Sequence, residues 1–437
     1  MTARSLAYDV LVRCERSNQY SNLALDAALR RSELSEQDRS LATALVYGVL
    51  ERRLTLDTWI GQLSARPFEQ IAPEVRCHLR IGLYQLAYLD RIPDHAAVNE
   101  AVELAGKRAG GFVNAILRGF LRRGKQLPLP DPGTDPIRYL SQAYSVCPPL
   151  CARFADVFGM VRTEAIFSAF GNHPPLTLRV NTLKTSRDAL LKILTDAGYS
   201  AEPTLHSRNG IKIIGNAPVA SLPGFAEGHF FVQDEASQLC TEALDARPGM
   251  RVLDTRACPG SKSFAVAMDM ENRGELTSCD LHTSKLSLVT SGAERLGISI
   301  LHALARDART PSAEWASDGG IFDRVLCDVP CSGFGVIAKK PELRYKDPAM
   351  SDGLPDIQLA ILNTSAQFLK PGGRLVYSTC TILPQENGEN INRFLPEHPD
   401  FSLLTDRTFY PDTDRTDGFY IAILEKHSTA ERMNSTP

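Results

Sequence analysis

No stretch of about 18 consecutive apolar residues occurs in the chain, so no membrane-spanning helix is expected. The opening run from Met1 to Asp9 holds no apolar core of the kind that directs export, and a cytoplasmic location is expected. There is no Cys-x-x-Cys and no His-x-x-x-His. Cys147 and Cys151 stand four apart, but no second pair or nearby histidine completes a zinc site, so no metal is expected. The ten cysteines form no regular framework and read as reduced thiols. A G-x-G-x-x-G loop is also missing, which leaves little support for a pyrophosphate-bearing cofactor. Internal repeats and low-complexity tracts are absent. The net charge of −3 argues neither for nor against a nucleic-acid partner.

What is present suggests two to three domains in 437 residues, with an ordinary apolar fraction of 43%. Residues 1–127 read as all helix. Leu6, Val10 and Cys14 recur at helical spacing, as do Leu41, Leu45 and Val49. Ser35-Glu36-Gln37-Asp38 resembles a capping box, and Pro93-Asp94 another helix start. Residues 1–130 carry 18 Lys+Arg against 14 Asp+Glu, a local +4 that leaves −7 for the rest. Lys107, Arg108, Arg118, Arg122, Arg123 and Lys125 gather near the end of that segment. They form either a solvated helix face or a patch for an RNA backbone. Residues 128–143 begin with three prolines in five positions and read as a linker. Residues 144–232 read as a small α+β domain, with strands at Leu176–Val180, Ile211–Ile214 and Phe230–Val232 and a helix from Ser186 that Gly198 stops. Residues 428–437 read as a frayed tail.

From 233 to 427 strand, loop and helix alternate, the pattern of a doubly wound parallel sheet. Asp254, Asp280, Asp307 and Asp328 each follow a strand-like run. Acids at several strand tips of one open sheet converge on one crevice. Asp280 lies 26 positions after Asp254, near the spacing at which a strand-end acid meets a ribose diol. A nucleoside without phosphates, such as S-adenosylmethionine, suits such a crevice. A lone strand-end Asp is often only a helix cap; four in register are harder to dismiss. Two thiols stand in the same setting: Cys331 in Asp328-Val329-Pro330-Cys331, and Cys380 in Ser378-Thr379-Cys380. A lone cysteine is most often a small buried hydrophobe, but both of these follow strand ends. Pyrimidine C5 is a poor nucleophile. Covalent attack by a thiolate at C6 makes C5 enamine-like, and a second group must then help expel the enzyme.

Asp328 to Gly335 together with Ser378-Thr379-Cys380 resembles the RNA cytosine-C5 methyltransferases of the Sun/Fmu group. The likeness covers nearly the whole chain. Tyr47-Gly48-Val49-Leu50, Arg91 to Ala97 and Phe112 to Arg118 are similar to a NusB-like RNA-binding domain. Leu178 to Asn181, Leu222 to Phe225 and Val232-Gln233-Asp234 fit as well. The domain order is similar to that of bacterial enzymes that modify cytosine 967 of 16S ribosomal RNA. The resemblance implies an all-α NusB-like bundle, a small α+β RNA-recognition-like domain and an α/β Rossmann-like methyltransferase domain. It implies S-adenosylmethionine as donor and 16S ribosomal RNA, naked or in an early small-subunit particle, as partner; a monomer is expected.

By the same resemblance Cys380 is the nucleophile, Cys331 assists release, and Asp328 holds the cytosine edge. Asp280 takes the donor's ribose, Asp307 its adenine side, and the loop Ala257, Cys258, Pro259, Gly260, Ser261 and Lys262 its methionine end, with Lys285 and Asp328 close by. Lys339, Lys340, Arg344 and Lys346, with Arg118, Arg122 and Arg123, are expected to meet RNA phosphates. The family's loop usually reads Ala-Ala-Pro-Gly-Gly-Lys-Thr. Ser261 adds a Cβ here, which narrows a ligand's approach to the backbone, and Cys258 reads as a packing substitution. The rivals are a noncatalytic RNA-binding or assembly protein built on a decayed enzyme, and the same chemistry on transfer RNA; DNA fits less well.

Overall fold

The computed structural model describes residues 1–17, 21–172, 174–215 and 217–428. Most of the expected tail, residues 429–437, lies outside them. The chain divides into two compact units, Met1–Asn172 with Ile337–Pro348, and His173–Val336 with Ala349–Pro437.

The first unit is helical. Its elements are α1 (Ala3–Ser17), α2 (Ser21–Arg30), α3 (Glu36–Glu51), α4 (Arg53–Leu63), α5 (Pro73–Tyr88), α6 (Asp94–Arg122), α7 (Pro136–Tyr144), α8 (Pro148–Phe158) and α9 (Met160–Ala169). Ser35 caps α3 by accepting from the Asp38 N–H at 3.2 Å, as its sequence suggests. Leu6, Val10, Leu45, Val49, Leu83 and Leu117 meet in one core, each with almost no exposure. Residues 136–143, inside the expected linker, are helical, because Asp135 caps α7 and Pro136 opens it. Helices α8 and α9 pack with the helical unit rather than with the small α+β domain.

Residues 337–348 belong to this helical unit although they follow the Cys331 loop in the chain. Glu342 accepts from the Ser21 N–H at 2.8 Å. The Tyr345 ring lies 3.8 Å from the Arg53 guanidinium, and its hydroxyl bonds the Leu50 carbonyl and, at 3.0 Å, the Ser145 hydroxyl. Arg344 is only 2% exposed and donates to the carbonyls of Tyr144 (3.0 Å) and Phe170 (2.7 Å).

The second unit holds two sheets. The smaller has the order β2-β3-β1-β4, all antiparallel, from β1 (Leu176–Val180), β2 (Ala201–Pro203), β3 (Gly210–Ile213) and β4 (Phe230–Val232). Helix α10 (Arg187–Asp196), capped by Ser186, covers its apolar face through Leu190 and Leu194. The fully buried Arg179 of β1 reaches Asp269 at 2.9 Å, and the Asn181 amide donates to the Gly228 (2.8 Å) and Leu296 (2.9 Å) carbonyls. These bonds fix the small sheet to the helices of the larger layer.

The larger sheet has seven strands in the order β10-β11-β9-β8-β5-β6-β7. They are β5 (Arg251–Asp254), β6 (Glu275–Asp280), β7 (Leu301–Ala305), β8 (Phe322–Asp328), β9 (Leu369–Thr379), β10 (Phe401–Phe409) and β11 (Phe419–Lys426). Helices α11 (Glu235–Leu244), α12 (Ser261–Asp269), α13 (Thr283–Leu296), α14 (Leu354–Phe368) and α15 (Gly388–Phe394) complete the alternation. Strands β9, β8, β5, β6 and β7 run parallel, whereas β11 pairs antiparallel with both β9 and β10. The sheet is therefore mixed, which corrects the wholly parallel one expected. The terminal hairpin closes the β9 edge, and one of its faces packs Tyr420, Ala422 and Leu424 into the core. Pro371-Gly372-Gly373 form an irregularity inside β9, where the register with β8 slips between Phe322↔Leu369 and Arg324↔Arg374.

Candidate active site

Chain order reverses in the larger sheet between β5 and β8. From β5 the chain steps to β6 and β7, then returns past β5 to lay down β8 and β9. Such a switch point opens a crevice beyond the carboxyl ends of the parallel strands. Cys380, Asp328, Asp254, Asp280 and Asp307 end, or closely follow, the five parallel strands in their spatial order.

The two thiols converge. The Sγ atoms of Cys331 and Cys380 are 3.2 Å apart, and the Cys380 N–H points at the Cys331 sulfur at 3.3 Å. Both side chains are partly exposed. Cys331 is held well above the ordinary thiol range by its bond to Cys380 and by burial, with the charges of Glu386 and Asp328 adding to the effect. Asp328 is placed by two donors: Lys262 Nζ lies 2.8 Å from one carboxylate oxygen and Ser378 Oγ 2.8 Å from the other. Burial disfavours the Lys262 charge, but Asp328, with Cys240 and Cys380 adding to it, outweighs this and holds the ammonium above its usual range.

The β5–α12 loop turns tightly. Ala257 N–H donates to the Cys279 carbonyl at 2.6 Å, and Gly260 N–H to the Ala257 carbonyl at 2.7 Å. Gly260 has φ +118°, and a Cβ there would lie 2.3 Å from the Phe264 ring. The Cys258–Pro259 bond is cis. Asp280, at the tip of β6, accepts the Cys258 N–H at 3.3 Å on one oxygen and the His282 N–H at 3.0 Å on the other. Each oxygen keeps a further lone pair. Burial, with Asp280 beside it, pushes the Cys258 thiol up to about 12, so it stays protonated and behaves as a packing residue. Ser261 is the first residue of α12, and its carbonyl accepts from Gln233 at 3.3 Å. Lys285 is exposed on the first turn of α13.

Several expectations change. Asp254 is fully buried, accepts from Ser263 Oγ at 2.6 Å and from the Arg256 N–H at 3.2 Å, and anchors α12 rather than facing the crevice. Burial raises its carboxyl to about 6. Asp307 follows β7 but forms an ion pair with Arg309 at 2.7 Å, a competitor for any ligand. The expectation that Arg344 meets RNA phosphates is corrected: its guanidinium is buried and committed to two carbonyls. Lys340 is exposed, and Lys339 and Lys346 are half-buried. Arg118, Arg122 and Arg123 are exposed at the end of α6, with Arg118 bonded to Asn114 at 2.9 Å, whereas Lys125 pairs with Asp94 at 2.6 Å.

A polar network behind the thiols went unread in the sequence. Ser332 Oγ bonds Thr381 Oγ1 at 2.9 Å, and Thr379 Oγ1 bonds Asn387 at 2.6 Å. Gln358, Tyr377, Glu386 and Asn390 bond to one another below these loops, all nearly or fully buried. The one signal was an unusual density of polar residues just after a strand end. No three His, Cys, Asp or Glu are grouped to hold a metal, and no helix is long and apolar enough to cross a membrane, among the described residues.

A mixed sheet of this order, with acids at neighbouring strand tips and a tight glycine loop at the switch point, defines a Rossmann-like methyltransferase domain. Residues 241–425 match the family model for 16S rRNA methyltransferase RsmB/F, residues 1–122 that of the NusB family, and residues 150–220 that of an RsmF/B-like ferredoxin-like domain. The chain is 40% identical to the probable ribosomal RNA small subunit methyltransferase B of Bacillus subtilis, over 92% of this chain and 89% of that one. It is 36% identical to the ribosomal RNA small subunit methyltransferase B of Pseudomonas putida, over 93% and 94% of the two chains. The solved protein PH0851 is 26% identical, with a TM-score of 0.80 over 98% of this chain and 99% of that one. The chain belongs to the RsmB/F family of 16S rRNA methyltransferases.

Proposed function

We propose that the protein methylates C5 of a cytosine in 16S ribosomal RNA, by kinship cytosine 967, using S-adenosylmethionine and a covalent bond between Cys380 and C6. The observation that carries this reading is the pair of sulfurs 3.2 Å apart, beside a carboxylate held by Lys262 and Ser378. S-adenosylmethionine, when bound, supplies an electrophilic methyl group. The tight 257–262 loop and the spare lone pairs of Asp280 fit such a ligand. Asp280 holds the ribose, and Asp307, once released from Arg309, the adenine side.

Asp328 grips the amine edge of the cytosine. The Cys380 thiolate adds to C6, and the electrons of the C5=C6 bond become available at C5 for the methyl group. Release breaks the C5–H and C6–S bonds. Cys331 gives its proton to the departing Cys380 sulfur and takes up the proton from C5, ending as the thiol it began; the Cys380 proton then leaves to solvent. Arg118, Arg122, Arg123 and Lys340 contribute phosphate contacts whose strength falls with salt. The substrate is cytoplasmic 16S RNA, naked or in an early small-subunit particle.

Bisulfite mapping of 16S RNA from cells lacking the protein tests the product: loss of one C5-methylcytosine is expected, and an unchanged map overturns the reading. Cys380→Ala should form no adduct, whereas Cys331→Ala should accumulate one; equal adduct yields overturn the assigned roles. Calorimetry with S-adenosylmethionine should show binding that Asp280→Ala weakens more than RNA binding. No donor binding by the unaltered protein favours an assembly role instead.

A further inference from the structure

The proposed chemistry, on which this inference rests, asks two identical side chains in contact to act oppositely. One sulfur attacks as thiolate while the other waits as thiol. Their surroundings differ in a way that separates them. Behind Cys331 lies Glu386, only 1% exposed. Its Oε2 accepts from the Ser332 N–H at 2.9 Å and from Gln358 Nε2 at 2.8 Å. The same Gln358 amide nitrogen donates to the Pro330 carbonyl at 2.9 Å. Both neighbours of Cys331 in the chain are therefore tied to one carboxylate. The other oxygen, Oε1, is buried without a hydrogen-bond partner, and no ion pair to Glu386 is found among the described residues. A buried carboxylate without a cation is costly and uncommon, so its persistence calls for a reason. The groups whose charge acts on Cys331 are Cys380, Glu386 and Asp328, with the Tyr377 hydroxyl also nearby. The cation of the crevice, Lys262, acts instead on Cys380 and is paired to Asp328.

We propose that Glu386 is a positioning residue that assigns the two thiols their roles: it fixes the backbone on both sides of Cys331 and sets an uncompensated negative charge behind that sulfur, so that Cys331 stays protonated while Cys380 attacks. The carboxylate touches neither RNA nor donor. It acts only through Cys331.

The test labels Cys331 with iodoacetamide across a pH series in the Cys380→Ala protein, read by mass spectrometry, with Glu386 intact and with Glu386→Gln. The glutamine carbonyl can still accept from Ser332 and Gln358, so a purely structural role leaves the labelling midpoint in place. The proposal expects the midpoint to fall, with labelling at pH 7.5 about tenfold faster or more, and Glu386→Asp to restore slow labelling. An unchanged midpoint in a folded Glu386→Gln protein overturns it. So does a Cys331 midpoint at or below the ordinary thiol value of about 8.5 with Glu386 in place, which needs no substitution at Glu386. Neither RNA nor donor enters this assay, so its failure is distinct from failure of the methylation reading, which shows as an unmodified RNA map.

Discussion

Replacing Lys262 by methionine isolates the ion pair at the centre of the crevice. The ammonium lies 2.8 Å from Asp328, with the two side chains 14% and 18% exposed. Methionine keeps the volume of the stem but strands the carboxylate, whose remaining donor is Ser378 at 2.8 Å. Removing one partner of a largely buried pair costs about 3–5 kcal/mol, and the residual exposure puts this case near about 3 kcal/mol. Guanidinium unfolding of both proteins at pH 8 reads this directly. The double variant Lys262→Met with Asp328→Asn should recover most of the loss, giving a coupling of about 2 kcal/mol or more. A Lys262→Met penalty below about 1 kcal/mol at pH 8, or a double variant that recovers nothing, would refute the account of Asp328 as a charge held in place by Lys262.

Gly260→Ala puts a Cβ 2.3 Å from the Phe264 ring at φ +118°, and should cost about 2–4 kcal/mol in unfolding and weaken donor binding by calorimetry. Asp254 has its carboxyl raised to about 6 by burial; its contribution to stability is complete below about pH 4 and is lost as pH rises through 6. Asp254→Asn should therefore gain on the unaltered protein by up to about 3 kcal/mol between pH 4 and pH 7 in chemical unfolding; a constant difference sinks the assignment. Diamide, a two-electron thiol oxidant, should join Cys331 to Cys380, whose sulfurs already touch at 3.2 Å, and abolish turnover until dithiothreitol is added. Peptide mapping that finds other cysteines joined, with these two still thiols, contradicts the geometry.

Much of the site could be read because its residues sit where strands end. Pro-Cys and Thr-Cys after apolar runs announced Cys331 and Cys380, and alternation of strand and helix announced the crevice between them. Burial was harder, because residue type does not encode it. Asp254 and Asp280 look alike in the chain and both end up buried, yet one is spent on Ser263 of α12 and the other caps two backbone N–H groups. Arg344 reads as a surface cation until two carbonyls enclose it. The β10–β11 hairpin escaped notice because the alternation along β10 is weak, with its middle residues Thr405 to Arg407 exposed to solvent. Glu386 carries no sequence signal of its own; only its partners, Ser332 and Gln358, reveal an interior group.

The stretch from Ile337 to Pro348 makes the polypeptide interleaved rather than modular. Tyr345 and Arg344 find their partners on Leu50, Ser145, Tyr144 and Phe170, residues laid down far earlier. A scissors cut that releases the carboxyl-terminal portion would leave a guanidinium and a phenol without the carbonyls that receive them, immediately downstream of Cys331. Expression of that portion by itself should yield an aggregation-prone product, and the helical half gains these last contacts only after residue 348 has been synthesised.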